Sequence, residues 1–493
     1  MSHTIRTPSL PGARQVAARE PVDELDRDLV VSPGEILERL WRIFTSMRTA
    51  LVLILCLAGL GLAGTLLVQA PPGLKEDPQA YAGWLDTIRP RYGGWTTVLD
   101  ALQLFAVFSS VWFKGIVVAL VTSIMACSVN RFRGLWRTAV HPRTRMSSIF
   151  YDRAPHGARL EVGAGPEAVL DSVRAAFRGR RFRIVIEPEG EVVHLYADRF
   201  RWAPFGTLLA HLSLVLILVG ALIGSSFGFR NPEFAVPVGS RVEVGNGTGL
   251  TVEAISFNDT YYPNGAPSDY ASQLVLYRGN EPVARQTVRV NEPLRYGDVT
   301  FYQSFFGAAA AIRIADPSGR TLFDQGVPLL WGTKDGKRRV GQVQLPDQGL
   351  TIYVVGAASG EVDPEIRPGQ MQLEVYRTGG GSTPVATAIV SQGQPARLAD
   401  LDVTFARERQ FTGLIVARDP GVPLVWGGAL LLVAGLFLVF FFPNRRIWAR
   451  LRRTAEGSEL LLGATTRHDA TFGAEFQQIV TEMALALDGP GAA

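Results

Sequence analysis

Cysteine is nearly absent from this chain of 493 residues: only Cys56 and Cys127 occur, both in apolar runs. Two such residues cannot build a disulfide framework, a zinc site or a C-x-x-C thiol pair, and both read as packing residues. Histidine is scarce as well, and residues 229–422 hold neither His nor Cys. That region is therefore closed to a His metal centre, a Ser-His-Asp triad, a thiol redox pair or a His haem ligand. Net charge is small: 49 Lys and Arg stand against 45 Asp and Glu, giving +4. A nucleic-acid binder needs a concentrated basic face, so no nucleic-acid partner is expected. No G-x-x-x-x-G-K-[ST] occurs, and nucleotide hydrolysis lacks its phosphate loop. The long apolar runs carry no acidic residue, and their ionisable nitrogens are Lys114, near one end, and a single histidine. Ion-coupled transport, which needs several charges at depth, is not expected.

What is abundant is apolar sequence, at 47% hydrophobic residues, together with 51 Gly and 30 Pro. This suits membrane helices joined to a turn-rich domain. Residues 1–31 are polar and aperiodic and read as a disordered cytosolic tail, with no cleavable signal peptide expected. Ser32-Pro33-Gly34-Glu35 has capping-box spacing with Pro at the first helical position, so 32–48 reads as an amphipathic helix on the membrane surface. Spans follow at 49–69, 111–129, 204–228 and 423–443, each long enough for a bilayer core of ~30 Å. Arg131, Arg133, Arg137, Arg143 and Arg145 come after the second span; Arg445, Arg446, Arg450, Arg452 and Arg453 come after the fourth. The positive-inside rule then puts both termini, 130–203 and the basic tail 444–493 in the cytoplasm, with 70–110 and 229–422 outside. The expected location is the cytoplasmic membrane.

Residues 71–100, with Pro71, Pro72, Pro78 and Pro90, read as a short polar loop. Ala158–Val162 predicts a strand, Pro166–Phe177 a helix, and Phe182–Glu187 with Val192–Ala197 a hairpin around Pro188-Glu189-Gly190. Residues 229–422 alternate apolar and polar residues in short runs split by Gly, Pro, Asn and Asp, an all-β pattern. The fold class is thus four transmembrane α-helices, a large all-β extracytoplasmic domain (sandwich- or barrel-like) and a small cytosolic α/β insert. The weakly amphipathic run Phe472–Leu487 has no assigned use.

The histidine at depth is His211, in a run from Pro204 to Phe227 free of Asp, Glu, Lys and Arg. It lies roughly 10 Å from the start of that run at the helical rise. An unpaired polar group there costs several kcal/mol, so the imidazole must have a partner. Two roles stay open on the residues alone: a hydrogen bond to another helix, or an axial bond to haem iron, for which imidazole is the usual ligand. His3 and His468 in the tails, His141 and His156 in the basic segment, and His194 in the hairpin read as solvated or packing residues. In the β region, Tyr261, Tyr262, Asn264, Tyr270, Tyr296 and Tyr302 are partner-docking candidates. Strand packing explains such aromatics equally well.

Several stretches together resemble the ResB family, also called CcsB. They are Leu40–Gln69, Leu102–Arg131, Phe205–Gly224 and, most distinctively, YYPNGAPSDYASQLVLY at Tyr261–Tyr277 with VRVNEPLRYGDVTFYQSFFG at Val288–Gly307. The likeness runs from about Leu40 to Arg446. It implies system II cytochrome c maturation, in which a ResB chain works with a second membrane subunit, ResC/CcsA. Together these translocate haem and attach it to apocytochrome c. His211 matches the family's transmembrane haem-ligand histidine, which would make haem b a transient cofactor shared with the partner. Thiol-reducing thioredoxin-like proteins and membrane lipid are the further partners implied. The partner's tryptophan-rich loop and external histidines have no counterpart here, so the chain is expected to be at most the non-catalytic subunit of a haem lyase (synthase) complex. The competing class is a non-enzymatic membrane scaffold or receptor whose outer domain binds a protein or ligand.

Overall fold

The computed structural model describes residues 33–71, 73–76, 78–264, 267–378, 383–466 and 471–488. The 1–31 tail, Ser32 of the capping box, His3 and His468 lie outside them. Among the described residues, four helices are long and apolar enough to cross a membrane: Met47–Leu66, Val111–Val140, Ala203–Phe227 and Val422–Phe441. The second runs for 30 residues. At 1.5 Å per residue it exceeds a ~30 Å core, so its Arg-bearing last turns stand clear of hydrocarbon.

The third and fourth spans are antiparallel and meet through glycine. A Cβ on Gly206 would lie 2.6 Å from the Gly435 carbonyl, and one on Gly220 would lie 2.9 Å from that of Gly421. Both pairs are two heptads apart in sequence, the repeat that keeps two helices in register along a shallow crossing. Small residues matter here because lipid removes the hydrophobic drive between helices and leaves close packing to hold them.

The described residues form two compact units: those up to Gly59 with Gly115–Val215 and those from Leu430 onward, and those of Leu60–Lys114 with Leu216–Ala429. The first contains a five-stranded antiparallel sheet. Its strand order is His156–Val162, Gly457–Thr465, Arg445–Thr454, Val192–Arg199, Arg183–Glu189. The hairpin turns at Gly190, which takes the left-handed φ of 59°. The expected self-contained insert is corrected here, because two of the five strands come from beyond the fourth span. The segment read as a basic tail is folded. Strand alternation explains how: Ile447, Ala449 and Leu451 point to one face while Arg446, Trp448 and Arg450 point to the other. Val169, Val173 and Phe177 of helix Pro166–Gly179 bury on the apolar face beside Phe476, Ile479 and Met483 of helix Phe472–Asp488. That is the use of the weakly amphipathic run.

In the second unit, residues 71–100 hold helices Pro78–Tyr92 and Trp95–Ala101, not a loop. Pro78 opens the first, where its missing N–H costs nothing, and Pro90 falls in the last turn. Tyr81 donates to Asp100 at 2.5 Å, and Trp84 and Tyr92 close on the fully buried ring of Phe105.

The large region is sheet-rich, with antiparallel sheets of six, five and four strands. Two long paired strands, Val299–Ala315 and Leu401–Arg418, join two cores. At one end Val299, Phe301, Leu414 and Val416 pack with Val252 and Leu274 of the four-stranded sheet. At the other Ile312, Ile314, Val403 and Phe405 pack with Ile352 and Leu373 of the five-stranded sheet. A register shift at Gln303/Phe305 separates the cores, and a second at Ala311/Ile312 falls within the core that holds Ala310 and Ile312. A bulge re-aims the side chains that follow it, which lets one strand pair serve both. At the first shift Ser272, Gln303 and Thr412 are buried and satisfy one another, the two hydroxyls 2.6 Å apart.

Candidate functional site

The second and third spans run antiparallel, and Ser128 meets His211 between them, Oγ to Nδ1 at 3.2 Å. The Ser128 hydroxyl donates its single proton to the Ile124 carbonyl at 2.7 Å. Its oxygen can therefore only accept from the imidazole, so Nδ1 carries the proton and Nε2 keeps its lone pair. No other hydrogen bond reaches His211 among the described residues. The ring is half-buried. This arrangement offers one nitrogen, held in the metal-binding tautomer by the bond that the other donates, as carboxylate and carbonyl acceptors hold metal-bound histidines.

The same stretch of the second span anchors the amphipathic helix Pro33–Phe44. Ser123 donates to the Phe44 carbonyl at 2.9 Å, and the Cys127 thiol points to the Thr45 carbonyl at 3.3 Å. Those carbonyls lie where the helix ends and would otherwise be unpaired. Cys127 is thus a capping thiol.

One turn beyond Ser128 and His211, towards the Arg-rich end, come Arg131 and Thr207, followed by a layer of rings. Phe132 meets Phe205 at 5.9 Å, and Trp136 meets Trp202 at 5.8 Å. Aromatic girdles mark the headgroup level of a bilayer. His211 therefore lies about 9 Å above Phe205 along the helix, within the apolar core.

Beneath the rings a cleft opens between the second span and the sheet face carrying Tyr196, Trp448 and Arg446. One part holds about 310 Å³ and includes Arg131, Thr207, Asp198 and Arg201; the adjoining part holds about 860 Å³ and includes His141 and Arg143. Both share Arg131, Tyr196 and Arg446. Asp198, the one carboxylate among these lining residues, is already held by Arg183 at 2.6 and 2.8 Å and by Tyr196 at 3.1 Å. Burial, then the Asp198 charge, pushes the Tyr196 phenol well above its ordinary value, so it stays a hydrogen-bond donor.

Of the other described histidines, His141 lines the cleft, and His156 and His194 stay apart from this site. His156 packs on Phe472 at 5.9 Å, and His194 is buried with Nε2 3.2 Å from Glu189. Among the described residues no group of three or more His, Cys, Asp or Glu could hold a metal ion. The docking candidates separate. Tyr261 and Tyr262 are about half exposed at a hairpin end, with Tyr261 donating to Asp259 at 2.9 Å. Asn264 is exposed nearby. Tyr270 packs on Phe306 at 5.0 Å, and Tyr296 packs against the first core. Tyr302 is partly exposed on the long strand.

Residues 224–228, GSSFG, have G-x-S-x-G spacing. They end the third span instead of joining a strand to a helix, and Ser226 accepts from Lys114 Nζ at 3.1 Å. This is not a nucleophile elbow. Sequence reasoning missed Ser128, whose signal was a lone hydroxyl in an apolar helix, and the Tyr196–Trp448–Arg446 face, for which adjacency in sequence left no signal.

The model of the ResB-like family matches residues 47–477. This chain belongs to that family. The ResB-like chain is similar to the cytochrome c biogenesis protein CcsB of Synechococcus sp. strain WH7803, 28% identical over 439 residues, covering 84% of this chain and 90% of the relative. Against the protein of that name from Trichormus variabilis it is 25% identical over 469 residues, 92% of this chain and 94% of the relative. Against that of Synechococcus sp. strain JA-3-3Ab it is 27% identical over 464 residues, 90% of each chain. The matched range takes in both His211 and the strands after the fourth span, so the completed sheet falls within the family's extent.

Proposed function

We propose that this chain serves cytochrome c maturation by the system II route. In this reading haem b is its cargo, ResC/CcsA its membrane partner and apocytochrome c the acceptor. The relatives' shared name supports the process. The observation that supports haem handling is the Ser128–His211 pair, which leaves Nε2 of a half-buried imidazole unprotonated and unbonded. A neutral imidazole nitrogen in an apolar layer is a haem iron ligand by its chemistry. The second axial ligand would come from the partner, since this chain presents one histidine at that depth. The Arg-rich side would face the cytoplasm, and the sheet-rich domain, with Tyr261 and Tyr262 exposed, would receive apocytochrome outside.

The test is to purify the chain with its partner and record the haem absorption spectrum for native and His211→Ala protein. The reading requires a six-coordinate haem spectrum in the native complex, its loss in the variant, and loss of holocytochrome c in cells lacking the chain. The scaffold reading has one point in its favour, that the Ser128 bond is itself an interhelical contact. Unchanged haem in His211→Ala, with maturation abolished by changes at Tyr261 and Tyr262, would establish it.

A further inference from the structure

Most basic side chains around the cleft have no acid to answer them. Arg131 and Arg446 have no ion pair among the described residues. Arg446 lies beside the Trp448 ring at 5.6 Å, and its Nε is buried without any hydrogen-bond partner. A guanidinium donor buried and unbonded costs free energy unless an acceptor arrives. Tyr196 lines the cleft with these two arginines, and Asp198, opposite Arg446 in the strand pair, is already held by Arg183. The cleft is therefore built for an anion that this chain does not supply. Each of its two parts, about 310 and about 860 Å³, falls in the ~300–1,000 Å³ range of small-molecule sites.

The position of the cleft says which anion. Thr207 is one turn from His211 on the third span, and Arg131 is one turn from Ser128 on the second, so both elements place the cleft mouth on the same side of the pair. The offset is about 6 Å along the helix axis. It crosses from the apolar layer to the ring girdle, where ionised carboxylates become tolerable. A ligand with a metal at its centre, an apolar disc and two carboxylates on one edge matches that sequence of environments.

We infer that Arg131 and Arg446 bind the propionate carboxylates of haem in this cleft while the disc reaches between the second and third spans to His211. The inference rests on the haem reading above and adds the end of the molecule that is recognised first. Guanidinium suits a carboxylate through paired N–H donors. Arg131 and Arg446 would hold the two carboxylates at the cleft, and His211 would offer its Nε2 to the iron. A phospholipid phosphate shares the anionic chemistry, but it has no group to place at His211.

The experiment compares haem with its dimethyl ester, in which both carboxylates are blocked. Each is titrated by absorbance into the full chain purified with its partner. Native, Arg131→Gln, Arg446→Gln, Arg131→Lys and His211→Ala proteins are used, with circular dichroism to check folding. The expected result is that each Arg→Gln change weakens the His211-dependent haem by about 10-fold or more. Arg131→Lys should restore part of that loss. The ester should bind the native protein about as weakly as haem binds the Arg→Gln variants, and it should not feel those changes. If the ester binds as tightly as haem, or the Arg→Gln proteins hold haem normally, the propionate site is wrong while the His211 reading stands. If no haem depends on His211 in the native complex, both fail together. If the Arg→Gln proteins instead lose co-purified phosphatidylglycerol with haem unchanged, the cleft is a lipid headgroup site and the inference is overturned.

Discussion

Removing one hydroxyl, in Ser128→Ala, tests the logic of the site more sharply than removing His211. In the native protein the Ser128 proton goes to Ile124 at 2.7 Å, and the oxygen receives Nδ1–H of His211 at 3.2 Å. Alanine keeps the helix and its packing but leaves the imidazole without an acceptor, free to rotate and to change tautomer. Interhelical hydrogen bonds in membranes contribute about 0.6 kcal/mol on average and about 1.7 kcal/mol at most. Converted at RT near 0.59 kcal/mol, that is an affinity loss of about 3- to 20-fold for a ligand on Nε2, overlapping the lower end of the range seen when a ligating histidine loses its hydrogen-bond acceptor. The assay is a haem titration of the purified complex, with His211→Ala as the zero point. Ser128→Thr, which retains the hydroxyl, should bind nearly as the native protein does. If Ser128→Ala binds haem with native affinity, the tautomer is not set by this bond and the argument from Ser128 to Nε2 collapses.

Three further outcomes follow from other parts of the structure. Gly435→Val places a Cβ against the Gly206 carbonyl and should cost about 1–3 kcal/mol by overpacking, read as a lower thermal midpoint in detergent; an unchanged midpoint would mean the spans do not pack through glycine. Arg338 beside Asp363 holds that carboxyl down to about 2. A folded-state value below the unfolded one means the contribution is full above about pH 4 and is lost as pH falls towards 2. Acid titration of the chain by near-ultraviolet circular dichroism should show that step in the native protein and not in Asp363→Asn. Ending the chain after Asn444 strips two strands and a helix from Val173, Leu195 and Ala197; limited proteolysis should then cut within 157–198, and native-like resistance there would refute the shared sheet.

Much of the fold could be read from local pattern, and for definite reasons. The four spans announce themselves because a stretch that crosses hydrocarbon must be almost wholly apolar, as Val422–Phe441 is and as Met47–Leu66 is once past Arg48 in its first turn. The sheet-rich character of 229–422 shows in its period-two alternation and turn residues. His211 stands out because a lone imidazole among aliphatic residues is conspicuous. Other features lay beyond that kind of reading. Prolines at 71–100 suggested a loop, yet Pro78 takes the first helical position, where proline is tolerated, and Pro90, inside the helix, costs a hydrogen bond only in its last turn. The Arg-rich strand Arg445–Thr454 carried a topology signal so strong that it hid the alternation of Ile447, Ala449 and Leu451 beneath it.

Composition and hydropathy settled that this chain crosses a membrane, that its largest region is built of strands free of His and Cys, and that one imidazole lies at depth. These are properties of single segments, imposed by the solvent each one meets. Tertiary structure decided what no single segment contains. It put Ser128 on His211 across 83 residues of chain, closed a five-stranded sheet from segments on both sides of two spans, and left Arg131 and Arg446 sharing one cleft. Pairings between distant segments depend on which surfaces meet once the helices and strands have packed, and local sequence carries no record of that choice.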